Sequence, residues 1–264
     1  MSEKPVLYEL TDGIAVLTLN NPRKRNALSL AVLAALKTHL GDAREDPSVR
    51  VVVVRSNGPV FSAGYDLTEM AAREEESYAH LFATFAEVME AIRSLPKPVI
   101  AQVQGLATAA GCELAVTCDL AVASETASFA TPGVLMGMFC TTPAVAVSRF
   151  VPPKKAMEML LTGTPIPARE ALESGLINRV VPPEELGEAV MDLARQISRG
   201  SSWAVANGKP AFYRQLEMDR PAAYELAERM MLSDLLAGEA QEGISARLEK
   251  REPRWAGQRL ERRP

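Results

Sequence analysis

The sequence has few of the side chains that bind metals or form disulfides, with two histidines and three cysteines in 264 residues. Cys112, Cys118 and Cys140 lack the spacing of a metal-ligand motif, and three cysteines are too few for a disulfide scaffold. The P-loop pattern GxxxxGK and the dinucleotide-binding pattern GxGxxG are also absent. The sequence therefore predicts a protein of a reducing compartment with no metal site, and it argues against nucleotide-dependent enzymes of these two types.

The sequence also lacks an excess of positive charge and a long apolar run. Its 29 basic and 33 acidic residues give a net charge of −4, which argues against a nucleic-acid partner recruited by bulk charge. No uninterrupted apolar run approaches the ~18 residues that cross a bilayer, and the opening MSEKPVLYEL has no apolar signal core. We therefore expect a cytoplasmic protein without a membrane partner.

The hydrophobic residues, 47% of the chain, are arranged in patterns typical of an α/β fold. Residues 6–19 alternate around Asp12-Gly13, which predicts a hairpin, and the four valines between Arg50 and Arg55 predict a strand buried on both faces. Parallel strands of this kind need crossover helices. From about Ser201 the pattern is helical, so we expect a core of residues 1–200 and a helical region of residues 201–264.

Several helix boundaries are also predicted by local signals. Ser29 is expected to cap a helix that ends near Gly41, and Asp66 to begin helical structure that continues to Leu95. The segment SFATPGVLMGMFCTTP is rich in Gly, Pro, Thr and Met, and it is interpreted as a structured loop that lines a pocket.

The stretch from Pro98 to Ser124 combines a predicted strand, a helix start and a carboxylate. The apolar run Val99–Val103 is followed by small residues, and a helical pattern begins near Ala109 with Glu113 in its first turn. The unpaired N–H groups of a helix start can stabilise an oxyanion beside that carboxylate. An acidic residue in a first turn is also common for helix-dipole reasons alone, so this stretch by itself leaves both interpretations open.

Seven motifs together resemble those of one known family, the crotonase or enoyl-CoA hydratase/isomerase superfamily. In chain order they are NPRKRNALS, FSAGYDLTEM, KPVIAQVQG, AAGCELAVTCDLAVAS, AMEMLLTG, EALESGLINRVV and EGISARLEKREP. The segments ATAAGCELA and FATPGVLMGMFCTTP are closer still to enoyl-CoA hydratase domain-containing proteins of the mitochondrial type. The resemblance extends over nearly the whole chain.

The resemblance implies a superhelix of repeated ββα units whose C-terminal helices build trimers, often paired into hexamers. It also implies an acyl-CoA thioester ligand from fatty-acid metabolism, with CoA as part of the substrate and no separate cofactor. Two backbone N–H groups, those of Tyr65 and Ala110 in this chain, are expected to form an oxyanion hole for the thioester oxygen. Glu113 matches the first of the two catalytic glutamates of the hydratases.

The resemblance further implies which residues contact CoA. Lys24 matches a position near the CoA phosphates, and the loop from Ala63 to Thr68 is expected to lie along the thioester, pantetheine and adenine. The residues expected at this binding site are Lys24, Ala63, Tyr65, Asp66, Leu67, Thr68 and Ala110.

The chain departs from the family pattern at two positions. Gly133 stands where the hydratases have their second glutamate. Ala110 stands where glycine is usual, and its methyl group is expected to restrict the backbone angles or narrow the oxyanion hole. A lone Glu113 is more compatible with double-bond isomerisation than with hydration, so we expect weak hydratase activity that Gly133→Glu would raise. Hydration could still proceed if Glu113 handled both protons through the water, or if Glu69, Cys140 or another side chain supplied the missing acid. The alternative functions are decarboxylation, thioester hydrolysis and binding of acyl-CoA without catalysis.

Overall fold

The computed structural model describes residues 4–71 and 74–256, in which two β-sheets are surrounded by helices. The strands are β1 (Val6–Thr11), β2 (Ile14–Leu19), β3 (Val51–Ser56), β4 (Val60–Ser62), β5 (Val99–Val103), β6 (Leu106–Thr108), β7 (Leu120–Ser124), β8 (Ser128–Ala130), β9 (Ile166–Pro167) and β10 (Arg179–Val181). The helices are α1 (Leu30–Glu45), α2 (Leu67–Met70), α3 (Glu75–Ser94), α4 (Ala110–Thr117), α5 (Thr141–Phe150), α6 (Pro153–Thr162), α7 (Ala168–Glu173), α8 (Leu186–Ser198), α9 (Ser202–Gln215), α10 (Arg220–Leu236) and α11 (Gly238–Leu248).

From β3 to β8, successive strands belong alternately to the larger and to the smaller sheet. The larger sheet has the order β1-β2-β3-β5-β7-β10 and is parallel except for the β1–β2 hairpin. The smaller sheet has the order β4-β6-β8-β9, with β4, β6 and β8 parallel. Three units, β3–β4–α2, β5–β6–α4 and β7–β8–α5, each place one strand in the larger sheet and the next in the smaller one before an α-helix follows. The expected repetition of ββα units is confirmed.

The four consecutive valines of β3 are fully buried because both faces of the larger sheet are covered. Val52 and Val54 pack in the main core with α1 and α3, whereas Val51 and Val53 face a second cluster that contains residues of α8. A strand between two helical layers has no face for polar side chains. The predicted strand is therefore confirmed, and its apolar run is explained by burial on both sides.

Local signals predicted some boundaries well and others poorly. Asp12 and Gly13 have the positive φ angles of a tight hairpin turn, and the Ser29 side chain caps α1 by accepting from the N–H of Val32. Helix α1 was predicted to end near Gly41, and this prediction is wrong. The helix continues to Glu45, because Ala43 is completely buried and its packing outweighs the low helix propensity of glycine.

The region after Asp66 also differs from the prediction. Asp66 begins only the short α2, and α3 starts at Glu75, with residues 72–73 lying outside the described ranges. The predicted loop at 128–143 includes β8, a 3₁₀ turn at Pro132–Met136 and the beginning of α5. Helix α5 was not anticipated, and it turns out to form one wall of the candidate site.

The last third of the chain is helical, as predicted. Ser201 caps α9 by accepting from the N–H of Ala204. A salt bridge between the ammonium of Lys209 and the carboxylate of Asp119, 2.7 Å apart, joins α9 to the core. The proposed division at residue 200 remains a prediction. None of the helices in residues 4–71 and 74–256 combines the length and apolar character needed to cross a bilayer.

Candidate active site

The start of α4 has an unusual backbone conformation. Ala109, which precedes the helix, has φ 51° and ψ −123°, and no side chain caps the first turn. These angles are rarely adopted by residues other than glycine, and such strain is typically ~1–3 kcal/mol. From the sequence, the substitution of glycine by alanine is expected to act at Ala110. The strained angles instead fall on Ala109, while Ala110 is the first helical residue and is fully buried.

The glycine-rich loop between β4 and α2 lies directly against this helix start. Gly64 has φ +84°, and a Cβ atom built on it would lie 3.0 Å from the Cβ of Ala109 and 3.2 Å from the nitrogen of Ala110. A Cβ on Gly111 would lie 2.5 Å from the carbonyl oxygen of Ser62. Only glycine allows the two backbones to approach so closely, so two segments 45 residues apart become neighbours.

Two backbone N–H groups are left open where these segments meet. Among the described residues, no backbone carbonyl accepts from the N–H of Tyr65 or of Ala110. The Ala110 N–H is unpaired because it belongs to the first turn of α4, where no intrahelical acceptor exists. The structure thus brings together the segments that carry the two N–H groups implied as donors by the family resemblance.

Glu113 lies one turn into α4 and is 6% exposed. Burial raises the pKa of its carboxyl to about 7, and hydrogen bonding from Thr142 acts in the opposite direction. Its Oε2 atom is buried without a partner in the described structure. A carboxyl with this pKa exchanges protons readily near neutral pH, which is the property expected of a general acid or base.

Glu113 and Thr142 line a cavity of about 330 Å³ between α3, α4 and α5. Its apolar wall consists of Phe82, Phe85, Ala86, Met89, Val145 and Ala146. Its charged residues are Glu90, Arg93, Arg149 and Glu217, of which Glu217 follows α9. An apolar cavity with a few converging polar groups is the usual form of a small-molecule site.

Gly133 is buried, and its surroundings are filled. Its N–H donates to Sγ of Cys140 at 3.1 Å, and a Cβ atom at this position would lie 2.8 Å from that sulfur and 2.9 Å from the carbonyl oxygen of Met138. The structure therefore alters the expectation for Gly133→Glu. A glutamate cannot enter here without displacing residues 138–140, so this substitution alone is not expected to raise hydration.

We predict that Gly133→Ala destabilises the protein by about 1–3 kcal/mol, because its methyl group overpacks this site. Urea unfolding measures the effect. Gly187→Ala is the matched control, since nothing lies within 4 Å of an added Cβ in α8 and alanine favours a helix. Removing the sulfur with Cys140→Ala should recover part of the loss, whereas a Gly133→Ala variant as stable as the parent would contradict the packing described.

The two side chains considered as substitutes for a second glutamate have other roles in the structure. Glu69 accepts from the backbone N–H of Leu30 at the start of α1. Burial raises the pKa of Cys140, which makes its thiol a weaker acid. Among the described residues, the lining of the cavity around Glu113 includes neither of them.

The residues expected to contact CoA also come together. The ammonium of Lys24 lies 2.8 Å from Oδ2 of Asp66, and Asp66 in turn caps α2 through the N–H and hydroxyl of Thr68. The N–H of Ala63 donates to the carbonyl of Arg25. Leu67, the first residue of α2, is exposed, and the side chain of Lys24 is about half exposed.

Asn26 holds these loops in place, although sequence reasoning did not identify it. The side chain is 1% exposed, donates to the carbonyls of Asn57 and Val60, and accepts from the N–H of Asn21. It lies in the NPRKRNALS motif at a positive φ angle, which asparagine tolerates better than most residues. Within residues 4–71 and 74–256, no cluster of three or more His, Cys, Asp or Glu side chains is suited to a metal ion.

Comparison with known proteins agrees with this architecture. A mouse (Mus musculus) protein, enoyl-CoA hydratase domain-containing protein 3, mitochondrial, is 50% identical over 246 residues, covering 93% of this chain and 82% of its own. The crystal structure of an enoyl-CoA hydratase from Mycobacterium smegmatis has a TM-score of 0.94 at 48% identity, covering 96% of this chain and 99% of its own. The crystal structure of human enoyl-CoA hydratase domain-containing protein 3 has a TM-score of 0.93 at 48% identity, and the match covers 95% of this chain and 100% of the human one.

The sequence profile of the enoyl-CoA hydratase/isomerase family matches residues 9–258. That range contains both sheets apart from the first three residues of β1, together with the neighbouring Tyr65 and Ala110 segments and the cavity beside Glu113. The chain belongs to the enoyl-CoA hydratase/isomerase family.

Proposed function

We propose that the protein binds acyl-CoA thioesters and moves a carbon–carbon double bond along the acyl chain, with Glu113 as its single carboxylic acid/base. One observation carries this proposal. A buried carboxyl with a pKa of about 7 lies at an apolar cavity, one turn from an open helix start, and the position of the second glutamate is a buried glycine packed against Cys140.

The proposed reaction needs one group that carries a proton. The Glu113 carboxylate takes a proton from the α carbon, and the electron pair of that C–H bond forms an enolate whose charge rests on the thioester oxygen. The N–H groups of Tyr65 and Ala110 stabilise this oxygen, an effect of several kcal/mol in comparable sites. Glu113 then returns the proton to the γ carbon, and the double bond is conjugated with the thioester.

Hydration makes a further demand, since one group must take a proton from water while another protonates the α carbon. Gly133 supplies no carboxylate, so we expect hydration to be the weaker activity.

The contact between Lys24 and Asp66 supports a CoA site at the loop from Ala63 to Thr68, because it holds the ammonium of Lys24 beside that loop. Decarboxylation, thioester hydrolysis and binding without turnover are the competing possibilities.

A panel of CoA esters tests the proposal. We expect 3-enoyl-CoA isomerisation to exceed crotonyl-CoA hydration, and kcat/KM for isomerisation to rise with pH through a midpoint near 7, because Glu113 must be ionised and its pKa is raised. Malonyl-type and saturated acyl-CoA esters test decarboxylation and hydrolysis. Tight binding without turnover of any ester would identify a non-catalytic binder and overturn the proposed reaction.

We also propose a closed oligomer, a trimer or a pair of trimers, assembled through the C-terminal helices. Exposed apolar side chains on α10 and α11 support this proposal: Met231, Leu232, Leu235, Leu236, Ile244 and Leu248. A patch of this kind is unusual on the surface of a monomer.

Light scattering should find a mass near three or six times 28.6 kDa. Leu236→Glu, at a side chain that is 78% exposed in the isolated chain, should lower that mass, whereas Leu10→Glu on β1 should not. A monomer at all concentrations would contradict the proposal.

The location in the cell stays a prediction. The name of the mouse relative assigns that protein to mitochondria, so the predicted cytoplasmic location is not confirmed for this chain.

A further inference from the structure

Three polar side chains from separate parts of the chain meet beside the cavity. Tyr65 lies in the loop between β4 and α2, Glu113 in the first turn of α4, and Thr142 in the first turn of α5. The Thr142 hydroxyl lies near both other groups, and its hydrogen bonding lowers the pKa of the phenol and of the carboxyl against the larger effect of burial. The phenol is close enough to Glu113 for the negative charge of the carboxylate to raise the pKa of Tyr65.

The Tyr65 ring is held in place by two aromatic residues of α3. It packs edge-to-face against Phe82 and Phe85, with ring centroids 5.5 and 5.2 Å away. Both phenylalanines also line the cavity. The phenol therefore cannot turn away from Thr142 and Glu113 unless this aromatic cluster repacks.

An aromatic wall alone does not explain the hydroxyl of Tyr65. The phenol oxygen and Oε2 of Glu113 are both buried, and neither has a hydrogen-bond partner of regular geometry in residues 4–71 and 74–256. Leaving such a group unpaired is unfavourable by about 1–3 kcal/mol, and phenylalanine would fill the same wall without that loss. Two buried oxygens without a regular partner, both near the hydroxyl of Thr142, indicate a polar function.

The other charged and titratable groups around Glu113 are not placed to replace this function. Cys140 lies near both the phenol and the carboxyl, but burial raises its pKa. The buried Cys112 directly precedes Glu113 in α4. The charged groups that face the same cavity are Glu90 and Arg93 on α3, Arg149 on α5, and Glu217 after α9. The two effects that set the pKa of Glu113 are burial and Thr142.

We propose that the Tyr65 phenol, the Thr142 hydroxyl and the Glu113 carboxyl act as one hydrogen-bonding unit, in which the two hydroxyl groups orient the carboxyl and stabilise its ionised form. This inference rests on the proposed role of Glu113 as the base. Tyr65 then acts twice, through its backbone N–H on the thioester oxygen and through its phenol on the base. With respect to Glu113, the phenol and Thr142 are positioning residues.

Tyr65→Phe and Thr142→Val test the inference, because each removes one hydroxyl and keeps the shape of the side chain and the backbone N–H. For both variants we expect kcat of isomerisation to fall with KM nearly unchanged. The acid limb of the pH profile should move upward by about one pH unit for Thr142→Val and by less for Tyr65→Phe. Thr142→Ser keeps the hydroxyl and should restore the profile, and Tyr8→Phe on β1 is the matched control.

A second measurement does not depend on activity. The pKa of the Glu113 carboxyl can be followed in the ligand-free protein by NMR of ¹³C-labelled glutamate, with the resonance assigned through Glu113→Gln. We expect a higher pKa in Thr142→Val and the parent value in Thr142→Ser. An unchanged Glu113 pKa in both Tyr65→Phe and Thr142→Val would overturn the inference. Failure of the parent protein to turn over any enoyl-CoA would instead overturn the proposed function and leave this titration as the test.

Discussion

Replacing Glu113 with glutamine is expected to lower the rate of 3-enoyl-CoA isomerisation by a factor of ~10²–10⁴, the usual contribution of one positioned acid or base. The amide keeps the size of the side chain but neither accepts the α proton nor delivers it to the γ carbon. Because the proposed thioester contacts come from backbone N–H groups and the loop from Ala63 to Thr68, affinity for a saturated acyl-CoA should stay within a few-fold of the parent protein.

Glu90→Gln is the matched control for this experiment. It makes the same chemical change in the same cavity, on α3 instead of α4. We expect it to retain most of the activity. Isomerisation that is unchanged in Glu113→Gln but lost in Glu90→Gln would show that the chemistry has been assigned to the wrong carboxylate.

The second large effect is expected at the contact between α9 and the core. Asp119 accepts from the backbone N–H of Val99 at 2.7 Å, from the Tyr213 hydroxyl at 2.8 Å and from the Lys209 ammonium at 2.7 Å. Lys209 also donates to the carbonyl of Ile92 in the last turn of α3 and to the carbonyl of Lys97, which precedes β5. Both side chains are largely buried. Asp119→Asn should therefore destabilise the protein by about 3–5 kcal/mol, since it leaves a buried ammonium without its counter-charge.

Denaturant unfolding measures this loss. Because the two residues are in contact, the double variant Asp119→Asn with Lys209→Met should be more stable than the sum of the single effects. Disruption of the exposed pair Lys37–Glu87 by Glu87→Gln is a suitable control, with an expected effect of about 1 kcal/mol or less. Additive effects of Asp119 and Lys209 would contradict the described contact.

Features that depend on neighbouring residues could be predicted from the sequence. The hairpin at Asp12-Gly13, the doubly buried strand at Val51–Val54, the cap at Ser29 and the place of Glu113 in a first helical turn all follow from local pattern and capping chemistry. The ββα architecture was implied by the family resemblance, and the structure confirmed it.

Features that depend on contacts between distant segments could not be predicted. The Asp119–Lys209 contact joins residues 90 positions apart. The position of Thr142 beside Glu113 depends on α5, whose beginning was not predicted because its segment is rich in Gly, Pro and Thr. The strain at Ala109 was assigned to the following residue, since a sequence of two alanines does not indicate which one has the positive φ angle. These contacts determine the chemistry of the site more than the local patterns do.

The packing of Cys140 against Gly133 has a consequence for how this site can change over generations. A mutation that introduces glutamate at position 133 displaces the sulfur of Cys140 and the backbone of Met138. Such a mutation therefore lowers the stability of the protein without supplying a correctly placed second carboxylate. The order of events is therefore constrained: position 140 and its loop have to change before position 133. Natural selection acting one substitution at a time is expected to keep such a chain on single-carboxylate chemistry.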